Sequence, residues 1–259
     1  MLRLRLPLAV AGITTAGALA ASCLAAGGAT VSASPASPSA PTVTWSDPAP
    51  VIGGTATTTT TALYRFSTLI GGKPVRWNPC AAVHWRFRTA GAPTGSGTIV
   101  KAAVARISRA TGITFVYDGT TTATPTSAWL PKTTLGIRPL LIGWTDASHS
   151  DLLRNQAASV LGVTRTAYFG ITLDGVQLAA TKAAVIALDR TNRLPLTGSV
   201  SWSTTLQHEL AHAMGLAHVS NSKQLMYPVL QRTLYGLQSG DLAGLYKLGR
   251  SAGCINLGF

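Results

Sequence analysis

The stretch HELAHAMGLAH, from His208 to His218, is the strongest constraint in this sequence. Thr204 to Met214 contains neither Gly nor Pro, and Gly215 follows as a stop, so the spacing predicts a helix with Ser203 as its N-cap. On such a helix His208 and His212 stand at i and i+4, one turn apart on one face. Leu206, Leu210 and Met214 mark roughly the opposite face, which would pack on a core. Gly215 allows a sharp reversal, and His218, three residues on, can return toward the first two histidines.

Three neutral imidazoles leaving one position open are the ligand set of a catalytic zinc ion, not of a closed structural one. Glu209, the single glutamate of the chain, directly follows the first ligand. A carboxylate in that place can take a proton from a zinc-bound water and hand it to a leaving amine. The motif therefore predicts one Zn2+ held by His208, His212 and His218, with Glu209 as general base and then general acid. With this chain's residue frequencies the whole pattern would arise by chance on the order of once in a million such chains. That rarity sets aside a core helix carrying incidental histidines.

HELAHAMGLAH resembles the zinc-binding consensus of the metzincin metallopeptidases. QLMYP, Gln224 to Pro228, resembles the methionine turn of that family, with Met226 beneath the metal. The matrixin branch is the nearest in pattern. GVTRTAYFG (162–170) resembles its cleft-bordering edge strand, SGDLAGLYKLG (239–249) its closing helix, and RWNPCAAVHWRF (76–87) the first strand of secreted bacterial relatives. The resemblance implies an α+β domain: a twisted, mostly parallel sheet of about five strands, two long helices, and a small C-terminal subdomain ending in a helix. It also implies an extended peptide substrate lying along Val163, Thr164, Arg165 and Thr166, its main chain added as a strand. Tyr227 to Leu237 would wall the adjoining pocket. Thr166 stands where matrixins usually carry a histidine for a second, structural zinc. Tyr227 follows Met226 directly, so it is not read as an extra metal ligand. Asp146, Asp151, Asp174 and Asp189 are too few for a strong calcium site. His84 and His149 are read as ordinary histidines.

The remaining elements follow from periodicity. Residues 82–89, 113–119, 140–144, 162–170 and 183–189 read as strands. Gly97 to Gly112 reads as a helix with Ile99, Ala103, Ile107 and Ala110 on one face. Ser239 to Gly249 reads as a terminal helix, with Ser239 as N-cap and Asp241 in the first turn.

The start of the chain has the character of an export signal: Arg3 and Arg5, then an uncharged, Ala-rich stretch with small-residue cleavage sites. Residues 1–33 are assigned to that signal, 34–62 to a Pro/Ser/Thr-rich linker, and 63–259 to the catalytic domain. An uncleaved N-terminal segment would instead retain the protein at the cell surface. Once Cys23 leaves with the signal, Cys80 and Cys254 remain as an even pair in an oxidising compartment, and a bridge between them is expected over two buried thiols.

The net charge of +13 favours acidic partners, such as an acidic protein or an anionic cell-wall polymer. The basic residues are scattered, so no specific nucleic-acid site is read. The sequence thus predicts a secreted, monomeric zinc endopeptidase acting on polypeptides, with no stable membrane span after cleavage. Two other functions use the same residues: an exported basic binding module, and a zinc hydrolase of a non-peptide bond.

Overall fold

Alternating apolar side chains assemble one five-stranded sheet in the computed structural model, which describes residues 63–132, 136–173 and 176–256. The chain divides into Met1–Ser37 and Pro38–Phe259, and every described residue belongs to the second unit. The proposed signal, most of the linker and Cys23 lie outside the described residues. The strands are β1 (Val83–Arg88), β2 (Phe115–Thr120), β3 (Leu140–Thr145), β4 (Gly162–Leu173) and β5 (Val176–Asp189). Their order across the sheet is β2-β1-β3-β5-β4. The first four run parallel, and β4 is antiparallel on the outer edge. This is the mixed, mostly parallel α+β sheet expected from the sequence.

Side-chain alternation sorts the sheet into two faces. Val83, Trp85 and Phe87 of β1, Leu140, Ile142 and Trp144 of β3, and Ala184, Ile186 and Leu188 of β5 join the core on the helical side. Leu141, Val163, Ala183, Val185 and Ala187 face the other way, under Leu130, Leu152, Leu153 and Val160. β3 is buried along its whole length because it is covered on both faces.

Helix α1 (Ser96–Thr111) buries Ile99, Val100, Ala103, Val104 and Ile107 and packs against helix α2 (Trp202–Met214). Each buried Val or Ile side chain contributes about 1.5–3 kcal/mol by leaving water. Helix α3 (Ser239–Leu248) closes the C-terminal part.

Three local readings need correction. The N-cap of α2 is Ser201, not Ser203. Ser201 Oγ accepts from Thr204 N at 3.3 Å, and Thr204 Oγ1 accepts from Ser201 N at 3.1 Å. Ser203 has Leu206 three residues on, which offers no oxygen to close such a box. For the same reason α3 starts from Gln238 and not Ser239: Gln238 N donates to Asp241 Oδ2 at 2.8 Å. The hairpin strands are also longer than 162–170 and 183–189, since residues 176–182 (VQLAATK) lack the strong apolar alternation that marks a strand by eye.

Both ends of the described domain are tied together. Cys80 and Cys254 form a disulfide with a Cα–Cα distance of 5.4 Å, as expected. Beside it, Arg76 Nη2 donates to Ala252 O and Gly253 O at 3.0 and 2.9 Å, and Asn78 exchanges two hydrogen bonds with the Ile255 backbone.

Candidate metal centre and active site

Helix α2 presents the motif from inside the protein. His208, Glu209 and His212 are all fully buried, so the face carrying them is no more exposed than the Leu206–Leu210 face. Gly215 ends the helix at φ 115°, and a Cβ there would sit 2.8 Å from Val75 O. Conformation and close approach together require glycine at this point. The turn sends Leu216–Ala217 into a short antiparallel pairing with Arg65–Phe66 and brings His218 back over the helix.

The Nε2 atoms of His208, His212 and His218 lie 3.1 Å from one another in all three pairings. His208 Nδ1 donates to Leu225 O at 2.7 Å, and His212 Nδ1 donates to Leu216 O at 2.8 Å. A carbonyl oxygen can only accept, so those two rings carry their protons on Nδ1. Their Nε2 lone pairs then meet with no proton to share, an arrangement that a cation satisfies and a hydrogen bond does not. The triangle is also small enough for one ion at the usual Zn–N distance of about 2.0–2.1 Å. Burial and the neighbouring rings hold His208 far below the ordinary histidine range and bring His212 down to about 3. Both rings are therefore neutral, with a lone pair free for a cation. These three histidines could hold one metal ion.

Glu209 sits beside them, against the outer strand. Thr164 Oγ1 donates to Glu209 Oε2 at 2.7 Å and lies 3.0 Å from Glu209 O. Glu209 Oε1 is buried without a hydrogen-bond partner among the described residues. Burial pushes the carboxyl up to about 8, while the Thr164 hydroxyl and the charge of Arg165 pull the other way.

Residues 135–249 match the matrixin family, a span that includes β3, β4, β5, the histidine motif and α3. That segment is matrixin-like, which supports a metzincin fold for the domain. No curated relative matches the chain at a significant level. Matrixins bind zinc, and the three converging imidazoles could hold such an ion, so the match and the geometry together support a zinc metallopeptidase in general.

In this matrixin-like segment the turn carrying Met226 is bonded to the histidine cluster. Val219 N donates to Met226 O at 3.0 Å, and the preceding residue, Leu225, accepts from His208. Asp241, read from sequence only as a helix-start charge, fixes that turn. Its carboxylate accepts from Leu225 N at 2.8 Å and Met226 N at 3.2 Å, as well as from Gln238 N. Gln224 Oε1 reciprocates by accepting from Gly240 N at 2.8 Å. Nothing in the linear sequence pairs 241 with 225, because the bond joins two loops whose proximity only the fold creates.

The five residues suggested for substrate contact are not equivalent. β4 is the sheet's outer strand, as the resemblance implies. The side chains of Val163 and Thr164, however, are fully buried: Val163 packs in the far-side core and Thr164 on Glu209. Arg165 and Thr166 are half-buried, and Tyr227 is nearly buried. The position of Thr164 against the glutamate was not legible from sequence. A threonine in a β-rich run reads as an ordinary strand former.

The two remaining histidines stay apart from the centre. His84 pairs with Asp118 and His149 with Asp146, each at 2.7 Å, on the surface. Of the acids weighed for calcium, Asp151 accepts from Ser127 N, Asp189 from Thr191 N, and Asp174 lies outside the described residues. Among the described residues no helix is long and apolar enough to cross a membrane.

Proposed function

We propose that this chain is a secreted zinc-dependent endopeptidase in which His208, His212 and His218 hold one Zn2+ and Glu209 is the catalytic acid–base. The observation that carries the reading is the convergence of three Nε2 atoms at 3.1 Å, with the residue after His208 a buried glutamate that has one oxygen without a hydrogen-bond partner among the described residues. Zinc, when bound, supplies a Lewis acid that polarises a carbonyl and makes water acidic enough to be used near neutral pH. Glu209 accepts a proton from the attacking water as its oxygen bonds to the scissile carbonyl carbon. It then delivers that proton to the departing amine nitrogen, so one carboxylate serves both halves of the hydrolysis. The Nδ1–carbonyl bonds of His208 and His212 hold the two rings in the tautomer that binds.

The substrate is a polypeptide, extended along the outer edge of β4 and recognised mainly through its main chain. The buried side chains of Val163 and Thr164 leave Arg165, Thr166 and the 227–237 segment as the surface that meets it. The N-terminal signal directs export, the 34–62 linker precedes the catalytic unit, and the basic charge favours acidic surroundings. A binding module on the same fold would have no use for a carboxylate at 209.

Glu209→Gln tests the reading. The variant is expected to keep one zinc per chain and lose casein cleavage by about 100- to 10,000-fold. A variant that cleaves at the wild-type rate removes Glu209 from the reaction. Zinc bound without turnover of any peptide in a broad pool, by the wild type, would favour the binding module.

A further inference from the structure

Thr164 is a strand residue with no exposed surface. Such a position normally takes Val or Ile, and a hydroxyl buried there costs free energy unless it is bonded. It is bonded to the one glutamate of the chain, at 2.7 Å. Two residues earlier on the same strand face, Gly162 makes room for the same side chain. A Cβ at 162 would stand 3.3 Å from Glu209 Cγ and 2.9 Å from Leu188. One face of β4 therefore supplies both a gap for the Glu209 stem and a donor for its carboxylate, while Oε1 has no hydrogen-bond partner among the described residues.

We propose that Thr164 is a positioning residue for Glu209: its hydroxyl pins Oε2 and fixes the carboxylate so that Oε1 faces the attacking water. The proposal rests on Glu209 being the acid–base. A carboxylate held by one short, charge-assisted bond loses its freedom to rotate. Its free oxygen is then already oriented when substrate arrives, which lowers the barrier of proton transfer without changing substrate binding. Thr164 touches neither substrate nor metal in this account and acts through Glu209 alone.

Thr164→Val removes the hydroxyl and keeps the branched shape. The expected result is a kcat lower by about 10- to 100-fold, with KM within about twofold and zinc content unchanged. Thr164→Ser should restore kcat to within a few-fold, and Thr164→Ala covers the case in which Val does not fold. Because the chain has a single glutamate, [δ-13C]Glu labelling gives one side-chain carboxylate resonance, that of Glu209. That resonance should move in the Val or Ala variant and return in the Ser variant, in both chelated and zinc-loaded protein. A structural role alone would lower stability in urea without a matching fall in kcat at constant KM.

A Val variant with wild-type kcat overturns the proposal, as does an unmoved resonance. If Glu209→Gln is inactive while Thr164→Val is fully active, the positioning role fails alone. If Glu209→Gln is active, the reading of the active site fails, and the positioning role with it.

Discussion

Two groups of histidine and carboxylate in this protein use the same side chains for opposite ends. In the first, His208, His212 and Glu209 are fully buried around Nε2 atoms 3.1 Å apart. Burial pushes Glu209 up to about 8 and His212 down to about 3, so each group is moved toward its neutral form. In the second, Asp146 lies near the surface with His149 and Arg190. The Ser148 hydroxyl, then His149, hold Asp146 well below the usual carboxylate range, with a further contribution from Arg190 Nε at 2.7 Å. There, charge is stabilised by donors and solvent; in the buried group it is penalised, which leaves the imidazoles as lone-pair donors. Residue type does not separate the two groups. Burial and the direction of the available donors do.

The largest expected effect comes from exchanging a histidine in each. His212→Ala should lose stoichiometric zinc and, with it, peptide cleavage, as read by metal analysis of the purified protein. His149→Ala should leave both unchanged. Equal loss in the two variants would mean that the buried triad is not the metal site.

A second comparison sets Asp241 against Asp146. Asp241 is buried, and burial raises it, although three backbone N–H groups pull it down. Asp241→Ala would leave the Leu225, Met226 and Gln238 amides without their acceptor. We expect a loss of about 2–4 kcal/mol in urea unfolding. Zinc affinity should fall about tenfold, because Leu225 orients His208. A loss below 1 kcal/mol would show that the methionine turn holds itself.

The smallest effect is expected on the surface. Arg190→Ala should change stability by no more than about 1 kcal/mol at neutral pH. Asp146 is depressed in the folded state, so its contribution is present above the unfolded value of about 4 and is lost as pH falls below it. The stability difference between wild type and Asp146→Asn should therefore shrink between about pH 5 and more acid conditions. A difference that grows with acid would reverse the sign of this argument.

Much of the candidate centre was readable because its histidines are neighbours in sequence. His208 and His212 are fixed by helical periodicity, and Gly215 by the stop that follows. The helix Gly97–Gly112 was found nearly to its ends, since Ile99, Ala103 and Ile107 repeat on one face and Gly112 closes it at φ 69°. The outer half of the β4–β5 hairpin was missed because Ala179, Ala180 and Lys182 carry no strand period. The helix starts were misplaced by one or two residues because the box that decides them is a reciprocal bond, and Ser201 and Ser203 look alike without it.

The sequence by itself determined which histidines would cluster, the candidate base beside them and the strand-and-helix order, and it led us to expect the bridge between Cys80 and Cys254. Each of these follows from residue type at short spacing or from a count. Only the tertiary structure decided what surrounds them: Thr164 on Glu209, Asp241 under Leu225 and Met226, and the carbonyls of Leu216 and Leu225 on two imidazoles. Thr164 is 45 residues from its partner and Asp241 is 16 from Leu225. Periodicity reports which face of an element is buried, but not which distant group that face will meet.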